Sequence, residues 1–217
     1  MADITTALQV CNLGLSYLKI PAVDSITVLT APSKEVKEVC AQWYDLSRQE
    51  ALRAHPWNFA KARAQLAIHT SDPDFGYENQ YVLPTDFSRL RFIGSNNYGL
   101  VGLDYDIEGA YLLYDGGDET TLNVGYIKDE EDVSLFDPLF VTYLALIFAK
   151  NICYGVTGKT TLRRDIREML LETGNQARAI NGQDKPPRRV TKSNVLGARR
   201  KFAGGSSQVT DPKYISF

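Results

Sequence analysis

Histidine is nearly missing from this chain: His55 and His69 are the only two in 217 residues. One precedes a proline and the other closes a strand-like run, so a hydrolytic triad or a His-based metal centre has almost nothing to draw on. Cysteine is almost as scarce. Cys11, Cys40 and Cys153 lie far apart, each inside a helical apolar pattern. Neither metal-ligand spacing nor a disulfide framework results, and buried free thiols are expected. No apolar stretch reaches the roughly 18 residues of a membrane span, and "MADITTALQV" carries neither a basic leader nor a cleavage site. The expectation is a product without a membrane span, made in the cytoplasm. Paired carboxylates at a fixed spacing, or a nucleophile beside a base, are also missing. We therefore expect no catalytic residue, no cofactor, no metal and no small-molecule substrate: not an enzyme.

One stretch, "CYGVTGKTTLRRD", imitates a phosphate-binding loop through Gly158, Lys159 and Thr160. A P-loop needs a glycine five positions before the glycine of that Gly-Lys pair, and a buried strand leading into it. Cys153 occupies the glycine position, and the preceding "PLFVTYLALIFAKNIC" is apolar on all sides over more than four helical turns. The segment joins helix to helix. Gly155 and Gly158 are expected to end one helix, and Thr160 or Thr161 to cap the next.

What the chain does have is apolar residues and a lopsided charge. Hydrophobic residues make up 44% and charged ones 23%, enough for a well-buried core with a solvated surface. The net charge of -2 hides a division. Residues 185–217 hold eight basic residues against Asp211 alone, leaving 16 basic against 25 acidic in positions 1–184. The body is near -9 and the tail near +7. Such asymmetry points to a tail that meets an acidic partner or a phosphate backbone.

Along the chain, Ile4, Leu8, Cys11, Leu15 and Leu18 recur at helical spacing, with Pro21 beyond. Ser33 is placed to cap a second helix. Its inward stripe is expected to be Val36, Val39, Cys40, Trp43 and Leu46, with Lys34, Glu35, Lys37, Glu38 and Arg48 exposed, and Pro56 ends it. The period then changes to two. Ala60, Ala62, Ala64, Leu66 and Ile68 alternate with Lys61, Arg63, Gln65 and Ala67, and "NQYVLPTDF", "SRLRFIG", "LDYDIEG", "AYLLYD" and "TTLNVGYI" are further strand candidates. "DGGD" is expected to reverse the chain between the last two. Asp137-Pro138 starts a third helix so apolar that it must be central. A fourth runs from about Thr161 to Ile180 with Leu162, Ile166, Met169, Leu170 and Ala177 inward, stopped by Asn181-Gly182.

The expected class is α+β: a four-helix bundle with an inserted antiparallel β-sheet and an extended C-terminal arm. Residues 1–56 supply helices one and two, 57–130 the β insert, 131–184 helices three and four, and 185–217 the basic arm. The arm cannot form its own core, and fixing it would cost roughly 1–2 kcal/mol per residue. It is expected to be held by a partner through Val195, Leu196, Phe202, Tyr214, Ile215 and Phe217 as apolar anchors. Arg188, Arg189, Arg199 and Arg200 would meet carboxylates or phosphates. A second function fits the same residues: a nucleic-acid binding module acting through "RRVTKSNVLGARRKF".

Three passages, "LSRQEALRAHPWNFAKARAQLA", "YENQYVLPTDFSRLRFIG" and "SLFDPLFVTYLALIFAKNIC", together resemble the head-to-tail adaptor family of short-tailed bacteriophages, also called tail tubular protein A. The matching positions are Trp57, Asn58 and Phe59; Leu83, Pro84, Asp86 and Phe87; and Phe136, Asp137, Pro138, Leu139 and Phe140. The resemblance spans about residues 4 to 180. It implies a structural virion protein at the head-tail junction: a homo-oligomeric, dodecameric ring bound to the portal protein and docked by the tail nozzle protein. Genomic DNA would pass through without sequence-specific binding. On that basis the arm is assigned to the portal or a neighbouring subunit, and the β insert to the tail side. Read from the residues alone, Trp57 and Phe59 are core, "LPTDF" is a turn, and "KDEEDVSLFDP" is a solvated acidic loop and helix cap, or a surface repelling DNA.

Overall fold

Asp137 and Pro138 open the helix on which everything else is built. The Asp137 carboxylate accepts the backbone N–H groups of Leu139 and Phe140 at 2.8 and 3.4 Å, while Pro138, lacking an N–H, takes the first helical position. A computed structural model describes residues 6–24, 36–94, 100, 102–116 and 120–184 of the chain. Its helices are α1 (Ala7–Tyr17), α2 (Val36–Ala54), α3 (Pro138–Thr157) and α4 (Thr160–Gln183). Between α2 and α3 come β1 (Lys61–Ala67), β2 (Gln80–Val82), β3 (Phe87–Ile93), β4 (Asp106–Glu108), β5 (Tyr111–Leu113) and β6 (Thr121–Lys128), then a 3₁₀ turn at Val133–Leu135. The helices and both sheets belong to one compact unit that closes at Gln183. The expected arm, residues 185–217, lies outside the described residues.

α1, α2 and α4 each pack on α3. α1 approaches closely because Gly14 has no side chain: a Cβ there would stand 2.6 Å from a ring carbon of Phe148. α3 is also where one expectation is corrected. It is 20 residues long, and an 18-residue window within it has mean hydropathy 1.6, long and apolar enough to cross a membrane. The interruptions at Thr142 and Lys150 break the apolar run without lowering its average below that of a span. Burial of 61% of that window, against three other helices, accounts for the composition. Gly158 ends α3 in the left-handed region (φ 65°), as its position implies, whereas Gly155 lies within the helix.

α2 is rotated from its expected orientation. Trp43 and Leu46 are 37% and 54% exposed, while Cys40, Tyr44, Ser47, Arg48, Ala51 and Leu52 face inward, with Glu38 also buried. Two stripes, one residue out of phase, both have helical spacing here. The one containing Arg48 is buried because that guanidinium has partners inside. α4 differs at two points. Met169 is exposed, and Asn181, expected to stop the helix, is buried within it.

The β region forms two three-stranded antiparallel sheets where one was expected, ordered β1-β6-β3 and β2-β5-β4. β5 and β6 are therefore not hairpin partners across "DGGD". The hairpin is instead β4–β5, where Glu108 pairs with Tyr111 around Gly109, whose φ is 57°. Asp115, the first residue of "DGGD", accepts from the N–H groups of Glu78 and Asn79 at 2.8 and 3.2 Å, which ties the end of β5 to the approach of β2. The first sheet has apolar residues on both faces. Ile127 joins the helical core around Trp57 and Phe140, while Leu66, Leu90, Val124 and Tyr126 join Tyr81, Leu83 and Leu112 in a second core against the other sheet.

Candidate functional site

All ten arm residues singled out from sequence (Arg188, Arg189, Val195, Leu196, Arg199, Arg200, Phe202, Tyr214, Ile215 and Phe217) lie outside the described residues. The passages carrying the family resemblance are described in full, and they meet at the junction of helices and first sheet. The ring of Trp57 lies edge-on to Phe140 with centroids 5.0 Å apart, and Phe59 contacts Phe140 and Phe136 at 4.8 and 5.2 Å. The Trp57 indole N–H donates to the Ala51 carbonyl at 2.8 Å, using an acceptor that the end of α2 leaves free. Asn58 is clasped by the end of α4: its backbone N–H donates to Asn181 Oδ1 at 2.8 Å, and its side-chain amide to the Asn181 carbonyl at 2.7 Å. Asn181 Nδ2 donates in turn to His55 Nε2 at 2.8 Å, so that histidine is a structural acceptor.

The "LPTDF" passage closes the junction from the other side. Phe87 N–H donates to Pro84 O at 3.0 Å, making the turn, and Asp86 accepts from the Tyr126 hydroxyl at 3.0 Å. Burial, and then this hydrogen bond to a carboxylate, push the Tyr126 phenol up to about 12. The Asp86 carbonyl accepts from Asp129 N–H at 2.7 Å, which leads directly into the acidic loop.

That loop is largely compensated by one cation. Arg48, 2% exposed, meets Asp129 through Nη1 and, at 3.3 Å, through Nη2. Nη1 also donates to the Glu130 carbonyl at 2.8 Å, with Asp45 and Glu131 within 3.6 and 3.7 Å of the guanidinium. Lys128 pairs with the buried Glu130 carboxylate. Of the four consecutive acids only Glu131 and Asp132 are exposed, so the loop is half a clasp and half a solvated surface. Asp132 caps the 3₁₀ turn, and its hydrogen bonds from Ser134 hold its carboxyl below the usual range. Sequence reasoning put Arg48 in solvent; the available signal was a lone cation in phase with Tyr44 and Ala51, and a run of acids needing a counter-ion.

A second feature, also missed, lies on the first sheet. β1, β3 and β6 contain no Asp or Glu but carry Lys61, Arg63, Arg89, Arg91 and Lys128. From Phe92 to Ile127 the sequence has no Lys or Arg at all, and β4 of the second sheet carries Asp106 and Glu108. The two sheets thus have opposite charge. On the outer face of the first, Arg63 and Arg91 hold their guanidinium carbons 6.0 and 5.9 Å from the centroid of the Phe92 ring. That ring lies over Gly125, where any Cβ would overlap it. A shallow cleft of about 360 Å³ opens there, lined by Arg63, Gln65, Phe92, Gly94 and Asn123 among others. A larger one, about 620 Å³, separates Arg53 and Arg89 from Tyr105 and Ile107.

The thiols of Cys11 and Cys40 are hydrogen-bonded to each other in the helical core. That bond, followed by burial, pushes the Cys11 thiol well up, which suits a packed group more than a nucleophile. Among the described residues no group of three His, Cys, Asp or Glu side chains could hold a metal ion. No family model and no curated protein matches this chain.

Proposed function

We propose that this chain is a structural head-to-tail adaptor subunit with no chemistry of its own, building a homo-oligomeric ring between a portal protein and a tail nozzle. In this reading the four helices form a bundle that serves as the hub. The sheets project toward the tail side, and the basic arm grips the portal or a neighbouring subunit. The ring would be dodecameric, reside at the head-tail junction of a virion, and surround a channel through which genomic DNA passes.

One observation carries the reading. The three passages that resemble the family are the ones whose side chains join helices to sheet: Trp57, Phe59, Phe136 and Phe140 in one aromatic cluster, and Asp86 bonded to Tyr126 and to the start of the acidic loop. A pattern spent on rigid joinery, with His55 held as a hydrogen-bond acceptor and all three thiols buried, fits a part whose task is to transmit load and hold geometry. The test is the native mass of the purified full chain, alone and mixed with portal protein. We expect a ring or a chain–portal complex, and its loss when Arg188, Arg189, Arg199 and Arg200 are changed to Glu. A chain that stays monomeric with portal present would overturn the reading.

A further inference from the structure

We propose that the outer face of the first sheet is a nucleic-acid backbone contact, in which Arg63 and Arg91 meet the phosphates of duplex DNA. The surface stands independently of the arm and of the adaptor reading, and follows from how the sheet is built. Alternation in β1 sends Ala62, Ala64 and Leu66 toward the second core and Arg63 and Gln65 outward. The register places Gly125 of β6 opposite both Arg63 and Phe92, so the three form one row across the sheet. Because Gly125 lacks a side chain, the Phe92 ring lies flat into the gap and is only 4% exposed. Both guanidinium groups then stack near that ring, which restricts their rotamers before any ligand arrives and lowers the entropy cost of binding. Register shifts between Phe87 and Arg89 and between Leu90 and Phe92 each add one residue to β3 and reverse its alternation, so Leu90 faces the second core while Phe92 faces outward beside Gly125. Arg91 is the extra residue of the second shift, and the Phe92 that follows it is brought onto the outer face, where the Arg91 guanidinium reaches its ring.

The rest of the face selects the ligand class. The outward neighbours are Gln65, Thr121 and Asn123, uncharged hydrogen-bonding residues, and none of the three strands supplies a carboxylate to repel an anion. Arg63 has no ion-pair partner among the described residues. A protein partner would need an exposed apolar anchor, the usual source of interface energy, and Phe92 is covered. A positive, polar, anchor-free face is the character of a surface that follows a phosphate backbone. Binding there would be indifferent to base sequence, since guanidinium groups fixed over a protein ring reach phosphate oxygens and not base edges.

The test is fluorescence anisotropy of a labelled duplex of about 20 base pairs with the full chain, titrated between low and moderate salt. Each lost phosphate contact removes about 0.9 from the slope of log affinity against log salt, so Arg63→Gln with Arg91→Gln should flatten the slope by about 2. The loss of affinity from 50 to 200 mM salt would then shrink about tenfold. Asn123→Asp, which leaves both arginines in place and adds one carboxylate to the face, should also weaken binding; it guards against a fold defect in the double variant. An unchanged salt slope in both variants would place the DNA contact elsewhere and overturn the proposal. So would tighter retention of polyglutamate than of duplex at matched salt, which would assign the face to an acidic protein. The duplex assay needs no ring and no portal, so its failure is distinct from failure of the adaptor reading.

Discussion

The two sheets are built from neighbouring stretches of one chain, yet they are held in different ways. The first is joined to the helices at several points: Ile127 is buried in their core, Asn58 just ahead of β1 is clasped by Asn181 of α4, and Asp129 is gripped by Arg48 of α2. Among the described residues the second touches the first through a shared apolar core, a bridge between Ile68 and Tyr81, and the His69 N–H donating to Gln80 O at 2.7 Å. Its strands are three residues each, and β4 is exposed along its whole length. A sheet this small cannot stand alone, so the second is a dependent of the first. Charge follows the same division, basic where the sheet is rigidly held and acidic where it is not. A binding face gains from sitting on the anchored element, because its geometry is then fixed in advance.

The largest expected effect comes from cutting the anchored sheet loose. Arg48→Ala leaves the Glu130 carbonyl without its donor and the half-buried Asp129 carboxylate with Gln49 in place of its cation, a change that typically costs about 3–5 kcal/mol. Urea unfolding should show it as a lower midpoint for the whole fold, and Arg48→Lys, which keeps a charge but not the fork, should recover only part. The contrast is Leu112→Ala at the buried centre of the second sheet, expected to cost about 2–5 kcal/mol. Hydrogen exchange should then quicken in β2, β4 and β5 while α3 keeps its protection. If α3 loses protection equally, the two sheets open together and the contrast between them fails.

Gly125→Ala probes the face itself. An added methyl displaces the Phe92 ring, at a cost of about 1–3 kcal/mol for overpacking, and with the ring go the stacked positions of Arg63 and Arg91. The expected outcome is a modest fall in thermal midpoint with a larger fall in DNA retention. A variant that melts earlier but holds duplex as well as the parent would separate the ring from the binding.

Much of this plan was legible in the residues. Asp137-Pro138, Pro56 and Gly158 mark their helix ends by local chemistry alone, and the alternation in β1 needed only its own seven residues. Orientation and pairing were not local. Whether Trp43 or Arg48 faces inward depends on Asp129, 81 positions later, and whether β5 joins β6 or β2 depends on Asp115 bonding back to Glu78. The Gly125–Phe92 pair is a contact between strands whose register is set by bulges, so its glycine had no visible reason in the linear order. The joinery of the three matched passages could be expected from Trp57 and Phe59 as core residues. The clasp by Asn181 could not, because an Asn-Gly pair near a helix end usually means a stop.

The smallest effect tests the seam between the two sheets by pH. Tyr126, buried and donating to Asp86, holds its proton up to about 12, against about 10 for an unperturbed phenol. Between those values the folded chain binds more protons than the unfolded one, so stability from this group is whole below pH 10 and falls as the pH rises through 12. Tyr44 and Tyr143 in the helical core are pushed the same way by burial, and their losses add in the alkaline range. Asp86→Asn removes the carboxylate that opposes ionisation, so the Tyr126 phenol should fall back toward its ordinary value and the decline between pH 10 and 12 should become shallower. Phenolate absorbance followed alongside circular dichroism reads both quantities at once. If the variant's decline is as steep as the parent's, alkaline instability belongs to the helical core, and the Tyr126–Asp86 bond contributes to holding the turn but not to the pH response.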